Sequence, residues 1–409
     1  MNFKAYFENK TLRAYLMIVT VFFLFLWIVV MTQKPLADER SHYAEFKLLY
    51  HGHWEIKWNL TTIPGYHLVI AGLARVVNSD RLFTMRNISL MFSLLTIPVV
   101  WLIGKKLGWN EKEEKNRIAQ FIVLPLSLPF FFLAYTDMFS LLIFLISFYF
   151  LLAKKYKLSG FFIILSCLVR QTNIIWLLFE WGYIFLETVG FKTFSTEALL
   201  KFVKKTWVYF LGTVAFFVFV YLNDGVAVGD RTNQQMGFFL GNIYFCLFLF
   251  FALFLPLHLK NVGKILEFIK KHYFLSLAVV SIIASSFLFV PRVLHIYNID
   301  AYFLRNDFIK FIYAYPSALF VYFILITIAV FSLMVTKLTM KNAWIMYPAT
   351  LLLLAPSWLI EQRYFIVPFV LFILLREKID EKSERAMICI NALIAIIFLF
   401  LIFSRKFFI

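Results

Sequence analysis

Long apolar runs, broken by short charged or Gly- and Pro-bearing turns, recur from Ala14 to the last residues of the chain. At about 20 apolar residues per membrane crossing, with shorter runs admitted where turn signals bound them, the pattern predicts about thirteen helical spans. They lie near 15–32, 87–104, 118–135, 138–153, 159–169, 174–188, 208–222, 239–257, 274–290, 317–336, 343–360, 364–375 and 387–403. Each span must satisfy its own backbone polar groups, so the predicted fold class is all-α and polytopic. With no internal repeat and no low-complexity segment, 1–409 is expected to be a single membrane domain.

The longest connection is the first, 33–86. Tyr43, Phe46, Leu49 and Tyr50 recur at helical spacing after Ser41, a residue type that caps helices. TTIPGYHLVIAGLARVV, from Thr61, carries an apolar run of only about 13 residues, too short to cross comfortably. Two interfacial helices joined by HGHWEIKWNL are therefore expected in this loop. A span that dips into the bilayer and ends at Arg75 is the alternative; it would invert everything downstream.

Composition supports the membrane reading. Of 409 residues 62% are hydrophobic, 52 are Phe and only 15% are charged, against about 25% charge in soluble domains. The net charge of +17 raises nucleic acid as a partner, but its distribution argues against one. More than half of the 40 Lys and Arg fall in the N-terminus and in the alternate loops near 105–117, 154–157, 189–207, 258–273, 337–342 and 376–386. This is the positive-inside pattern and sets the N-terminus in the cytosol. The uncharged run Ala14–Gln33 is too long for a signal-peptide core and no small-x-small site follows, so it is expected to be an anchor. Cys167, Cys246 and Cys389 fall inside predicted spans and form no disulfide or metal framework. His51 and His53 are two apart on a turn, a poor spacing for a metal, and no cofactor motif is present.

On the opposite face, acids and arginines are wedged between spans with almost no loop: YTDMF at Asp137, VRQTNIIW at Arg170, VGDRTN at Asp230 and Arg231, EQRYF at Glu361 and Arg363. A tight turn needs no ionised group. A lone Arg snorkels from a helix end, but four such clusters on one face, with Asp38, Glu39 and His42 just after the first span, point to a shared polar cavity. Carboxylates opposite arginines at a membrane surface suit glycosyl transfer from a lipid-phosphate sugar. A carboxylate takes the acceptor proton, and Arg meets the charge on the leaving phosphate without requiring a metal. Trp54, Trp58, Gln171 and Asn173 offer sugar-binding surfaces, and Phe-rich spans offer a groove for a polyprenyl tail. Glu180 stands apart in mid-span, as a buried structural acid or a proton relay.

Several short strings resemble the dolichyl-phosphate-glucose α-1,2-glucosyltransferase family, which adds the last glucose of the N-glycan precursor. DERSH at 38–42 is similar to its Asp-Glu-x-Phe-His, and TTIPG at 61–65 to its Thr-Thr-x-Pro-Gly. RQTNIIW at 170–176 resembles its most distinctive string, GDRTN at 229–233 its Gly-Asp-Arg-Ser/Thr-Asn, and EQRYFIVPFVLF at 361–372 its late Glu-x-Arg-Tyr-x-x-x-Pro. The matches are in order and span about 38 to 372. The resemblance implies a GT-C fold and no cofactor, with a polyprenyl-phosphate sugar as donor and a lipid-linked or other oligosaccharide as acceptor. It implies Asp38 as general base, Glu39 to orient it or bind sugar, Asp137 at the acceptor site, and Arg231 and Arg363 on the donor phosphate. His42, Trp54, Trp58, Arg170, Gln171, Asn173, Asp230 and Glu361 would bind substrate. Ser41 stands where the family has Phe, and Trp58-Asn59-Leu60 replaces its Trp-Asp-Pro, departures that bear on the acceptor.

The implied location is a multi-pass integral membrane protein with its site on the lumenal or periplasmic face, in the endoplasmic reticulum of a eukaryote or the plasma (inner) membrane of a bacterium. A lipid-linked sugar flippase is the rival class; it would favour midplane polar residues and a two-half repeat. A GT-C enzyme using another sugar and acceptor, and a non-catalytic membrane subunit, complete the alternatives.

Overall fold

The computed structural model describes residues 10–57, 59–190, 195–230, 237–289, 298 and 302–408. Among them the chain is helical, with no strand beyond two isolated bridges. The first loop holds its two helices: α1 (Lys10–Met31) leads to α2 (Glu39–Tyr50) and α3 (Gly65–Val76), which pack on each other and on α4 (Leu82–Leu107). Helix α2 starts earlier than its Ser41 signal suggests, at Glu39, with Asp38 preceding it and making no capping hydrogen bond.

Proline sets the largest departures from the predicted spans. The stretch 118–135 is not one helix: α5 (Glu111–Ile122), opened by an Asn110–Glu113 capping box, ends before Pro125. A single 3-10 turn, Leu128–Phe131, holds Pro129, and the backbone stays irregular to Tyr135. Proline lacks the N–H that a continuous helix needs and clashes with the preceding turn. The later helices are α6 (Thr136–Leu152), α7 (Tyr156–Cys167), α8 (Ile174–Thr188) and α9 (Thr196–Leu222). Helix α9 begins well inside the expected cytosolic loop, because Ser195 accepts the Ala198 N–H and caps it there.

The 239–257 span is likewise shortened. α10 (Gly241–Leu253) stops at Phe254 and α11 (Leu255–Lys271), with Pro256 in its first turn, leaves at 97°. α11 buries Leu257 and Ile265 while its Lys260, Lys264, Lys270 and Lys271 mark the polar face, which suits a helix lying along a membrane surface. α12 (Tyr273–Phe289), α13 (Leu304–Ala314), α14 (Pro316–Val335), α15 (Met346–Leu354), α16 (Ile366–Leu375) and α17 (Glu381–Phe403) complete the chain.

Two short helices form the centre. Every residue of α16 except Val367 is buried, and α6 is buried along nearly all of its length. A helix apolar all round belongs inside a bundle. The outer helices instead expose large apolar side chains: Phe217 on α9, Phe274 on α12, Phe320 on α14 and Phe400 on α17 are all more than 60% exposed. Such a belt needs lipid. Four described helices, α4, α9, α14 and α17, are long and apolar enough to cross a membrane, and the bent pair α10–α11 makes a fifth candidate. The predicted short spans 159–169, 174–188 and 364–375 are present as helices α7, α8 and α16, below that length.

Candidate active site

The paired acids after α1 separate. Arg86 of α4, wholly buried, reaches up to the end of α1. Its Nη1 donates to the carbonyls of Val30 (2.6 Å) and Gln33 (2.7 Å). Its Nε and Nη2 clasp the two Glu39 oxygens at 2.8 and 2.6 Å. Glu39 also accepts the Leu36 N–H at 3.0 Å and the Ala134 N–H at 2.9 Å. A buried carboxylate with a bidentate arginine and two amide donors is fully satisfied. Glu39 therefore pins the 32–38 turn against the chain before α6 and does not line the cleft. Ala37, at φ +46°, reverses the backbone there, and Asp38 is left facing outward with its side chain 55% exposed.

Asp38 borders a cleft of about 600 Å³. Its walls come from residues 35–42 at the start of α2, the α2–α3 link at Asn59–Thr62, the α7–α8 turn at Arg170, Asp230 after α9, Tyr302, Phe303 and Arg305 at the start of α13, Leu359–Tyr364 before α16, and Arg405 after α17. Arg363 is at its centre. Its Nη2 donates to Asp38 Oδ2 at 2.8 Å and to Glu361 Oε2 at 3.3 Å, and its Nη1 is 4.0 Å from Asp137 Oδ2. Arg170 bonds Asp137, and Arg305 Nη2 meets Glu361 Oε2 at 3.1 Å. Each guanidinium lies over a ring: Arg363 on Tyr135, Arg170 on Tyr364, Arg305 on Phe303. Three arginines and three carboxylates thus share an aromatic floor, where cation–π contact holds the guanidinium planes.

The remaining predicted residues divide by role. His42 lines the cleft; its Nδ1 is 3.0 Å from Nε2 of His67, which is wholly buried. Burial, with Arg363 and Arg170 nearby, pushes the His42 pKa down to about 3, and burial beside His42 depresses His67 as well. The pair is neutral, one ring donating to the other. Asp137 and Asn173 line a small pocket behind Arg363 and Tyr364. Gln171 is structural in placement: its Nε2 donates to the carbonyls of Thr61 (2.7 Å) and Val226 (2.9 Å), and its Oε1 accepts the Ile63 N–H at 3.3 Å. It ties the first loop to the segment after α9. Trp54 is 75% exposed and away from the cleft. Trp58 and Arg231 lie outside the described residues. Glu180 accepts hydrogen bonds from Ser147 (2.7 Å), Ser159 (3.0 Å) and Tyr209 (2.9 Å), all to Oε2, and joins α6, α7, α8 and α9.

Tyr135, Tyr364, Arg86 and Arg405 were not singled out by sequence reasoning. Their signal is three-dimensional: Tyr135 and Tyr364 sit within the quoted strings YTDMF and EQRYF, where only the charged residues stood out. Among the described residues no group of three or more His, Cys, Asp or Glu is placed to hold a metal ion.

What these features define is a helical membrane protein with an arginine–carboxylate cleft at one end of its bundle, suited to a charged substrate. The chain belongs to the DIE2/ALG10 family, whose sequence profile matches residues 32–194 and 182–374. Among similar proteins is the Dol-P-Glc:Glc(2)Man(9)GlcNAc(2)-PP-Dol alpha-1,2-glucosyltransferase of Candida albicans, 26% identical over 89% of each chain. The proteins of the same name from Rattus norvegicus and Homo sapiens are 24% and 25% identical, each over 83% of both chains. No solved structure matches the chain.

Proposed function

We propose that this chain is a multi-pass GT-C glycosyltransferase, one membrane domain over 1–409, that moves glucose from a polyprenyl-phosphate glucose to a glycan acceptor on its lumenal or extracytoplasmic face. The relatives' names supply the sugar and the lipid. The observation that carries the chemistry is Asp38 at 2.8 Å from Arg363 in an open cleft. Asp38 Oδ2 is bonded, while Oδ1 has no partner among the described residues and is available as a base.

In this reading the donor phosphate enters over the aromatic floor and takes hydrogen bonds from Arg363, which loosens its hold on Asp38. The acceptor hydroxyl then bonds C1 of glucose from the face opposite the phosphate. Its proton passes to Asp38 as the C1–O bond breaks, and the bond's electron pair leaves with the polyprenyl phosphate. The phosphate gains charge in this step, and pre-placed guanidinium groups stabilise that gain. In-line attack inverts the anomer, so a β-linked donor gives an α-linked product. Asp137, held by Arg170 behind Arg363, shapes the inner wall. Arg170, Asp230, Glu361 and His42 bind sugar hydroxyls, and Arg231 is a second candidate for the phosphate. A one-ended cleft favours this reading over a flippase, which needs access from both faces.

The test is transfer by purified protein in proteoliposomes, from polyprenyl-phosphate glucose to a panel of lipid-linked and free oligosaccharides. An α-linked glucosyl product supports the reading. Donor binding without transfer to any acceptor, together with movement of labelled lipid between leaflets, would give the flippase instead.

A further inference from the structure

The chain leaves α17 at Ser404 and turns back into the cleft. Arg405 makes the turn with φ +57°, the left-handed region that Gly or Asn usually fills at a helix end. Two contacts hold it there: Nε donates to Gln33 Oε1 at 3.1 Å and Nη2 to the Lys34 carbonyl at 3.3 Å. Both acceptors belong to the turn that carries Asp38, and the Arg405 side chain lines the cleft.

Three residues on, Phe408 is buried. Its N–H donates to the Tyr302 carbonyl and its carbonyl accepts the Leu304 N–H, each at 2.8 Å. Its ring stacks on Tyr135 (6.2 Å) and Tyr302 (6.3 Å) and meets Phe303 edge-on (6.1 Å). Tyr135 is the ring beneath Arg363, and Phe303 the ring beneath Arg305. Residues 404–408 therefore back the floor on which two of the central arginines rest. They lie beyond the matched family segments, which end at 374.

The charges distinguish Arg405 from the inner arginines. Arg170, Arg305 and Arg363 are each paired with a carboxylate. Among the described residues Arg405 is held by neutral oxygens only, Gln33 Oε1 and the Lys34 carbonyl. A phosphate that passes from diester to monoester in the cleft gains negative charge, and it meets uncompensated positive charge at Arg405. We propose that Arg405 is a phosphate-binding residue for the polyprenyl monophosphate product, held in place by its turn onto Gln33 and Lys34, with Phe408 positioning the ring floor. This rests on the glycosyl-transfer reading for the identity of the lipid, though not for the binding of phosphate.

The test is binding of a polyprenyl monophosphate, and of the uncharged polyprenol as control, to full-length protein in nanodiscs. R405Q is expected to weaken monophosphate binding about tenfold and leave polyprenol binding unchanged, and R405K to restore most of the loss. Equal monophosphate affinity in wild type and R405Q overturns the assignment. So does a matching fall for the polyprenol, which marks a collapsed site, or a wild-type protein with no preference for the phosphate. A wild type that binds monophosphate through Arg405 yet moves no glucose leaves this assignment standing and removes the transfer reading.

Discussion

Glu39 gives both its oxygens to Arg86, while Asp38, one residue earlier, keeps more than half of its side chain open to the cleft. Substituting each tests different things. Glu39→Gln leaves the Arg86 charge buried without its partner, and breaking such a pair costs about 3–5 kcal/mol. Thermal unfolding in detergent should show a large drop in Tm for Glu39→Gln and almost none for Asp38→Asn, since an exposed pair is worth about 0–1 kcal/mol. An unchanged Tm for Glu39→Gln would remove Glu39 from its positioning role. The buried histidines give a second prediction. Their folded pKa values lie below the unfolded value, so the unfolded chain binds protons first as pH falls. Stability is fully present above the unfolded histidine pKa, about 6.5, and declines as pH falls below it. Unfolding midpoints measured from pH 7.5 to 5 should fall, and His67→Phe should flatten the slope. At this scale the sequence exposed the ionised groups, because charge in a tight turn is conspicuous. It hid Tyr135, Arg86 and Arg405, because a Tyr or Arg beside apolar residues is ordinary until its neighbours across the fold are known.

The helices around the cleft approach one another at one glycine in particular. A Cβ at Gly65 would stand 2.3 Å from the Leu168 carbonyl oxygen, a backbone atom that cannot swing aside. The Gly65 N–H already donates to that carbonyl at 3.2 Å. Gly65→Ala should therefore push α3 off the turn that carries Arg170, costing on the order of 1–3 kcal/mol and lowering the rate of transfer more than donor affinity. A variant with wild-type kcat and Tm would contradict this. The amphipathic helices of the first loop were legible from period and run length. The Pro125–Pro129 break was visible too, yet hydrophobicity alone reads 118–135 as one span. The 97° turn at Phe254 has the same origin: an apolar run continues past Pro256 while the helix axis does not.

Across the whole molecule, charges on the non-cytosolic side of the predicted topology meet in one cleft: Asp38, Arg170, Asp230, and the pair Glu361 and Arg363 come from four separate connections. Hydropathy and the Lys and Arg bias supplied that common side, because the bilayer forces charged turns to its two surfaces. Which of the charges touch was not readable, since the pairings join residues as far apart as 38 and 363. The cleft's central claim is that Asp38 takes the proton of the acceptor. The most direct measurement is glucose transfer by wild type, Asp38→Asn and Asp137→Asn in proteoliposomes, with donor binding followed in parallel. The account predicts that Asp38→Asn lowers transfer by about 10²–10⁴-fold while donor binding persists. Transfer by Asp38→Asn near the wild-type rate, with Asp137→Asn inactive, would contradict it and assign the base to Asp137.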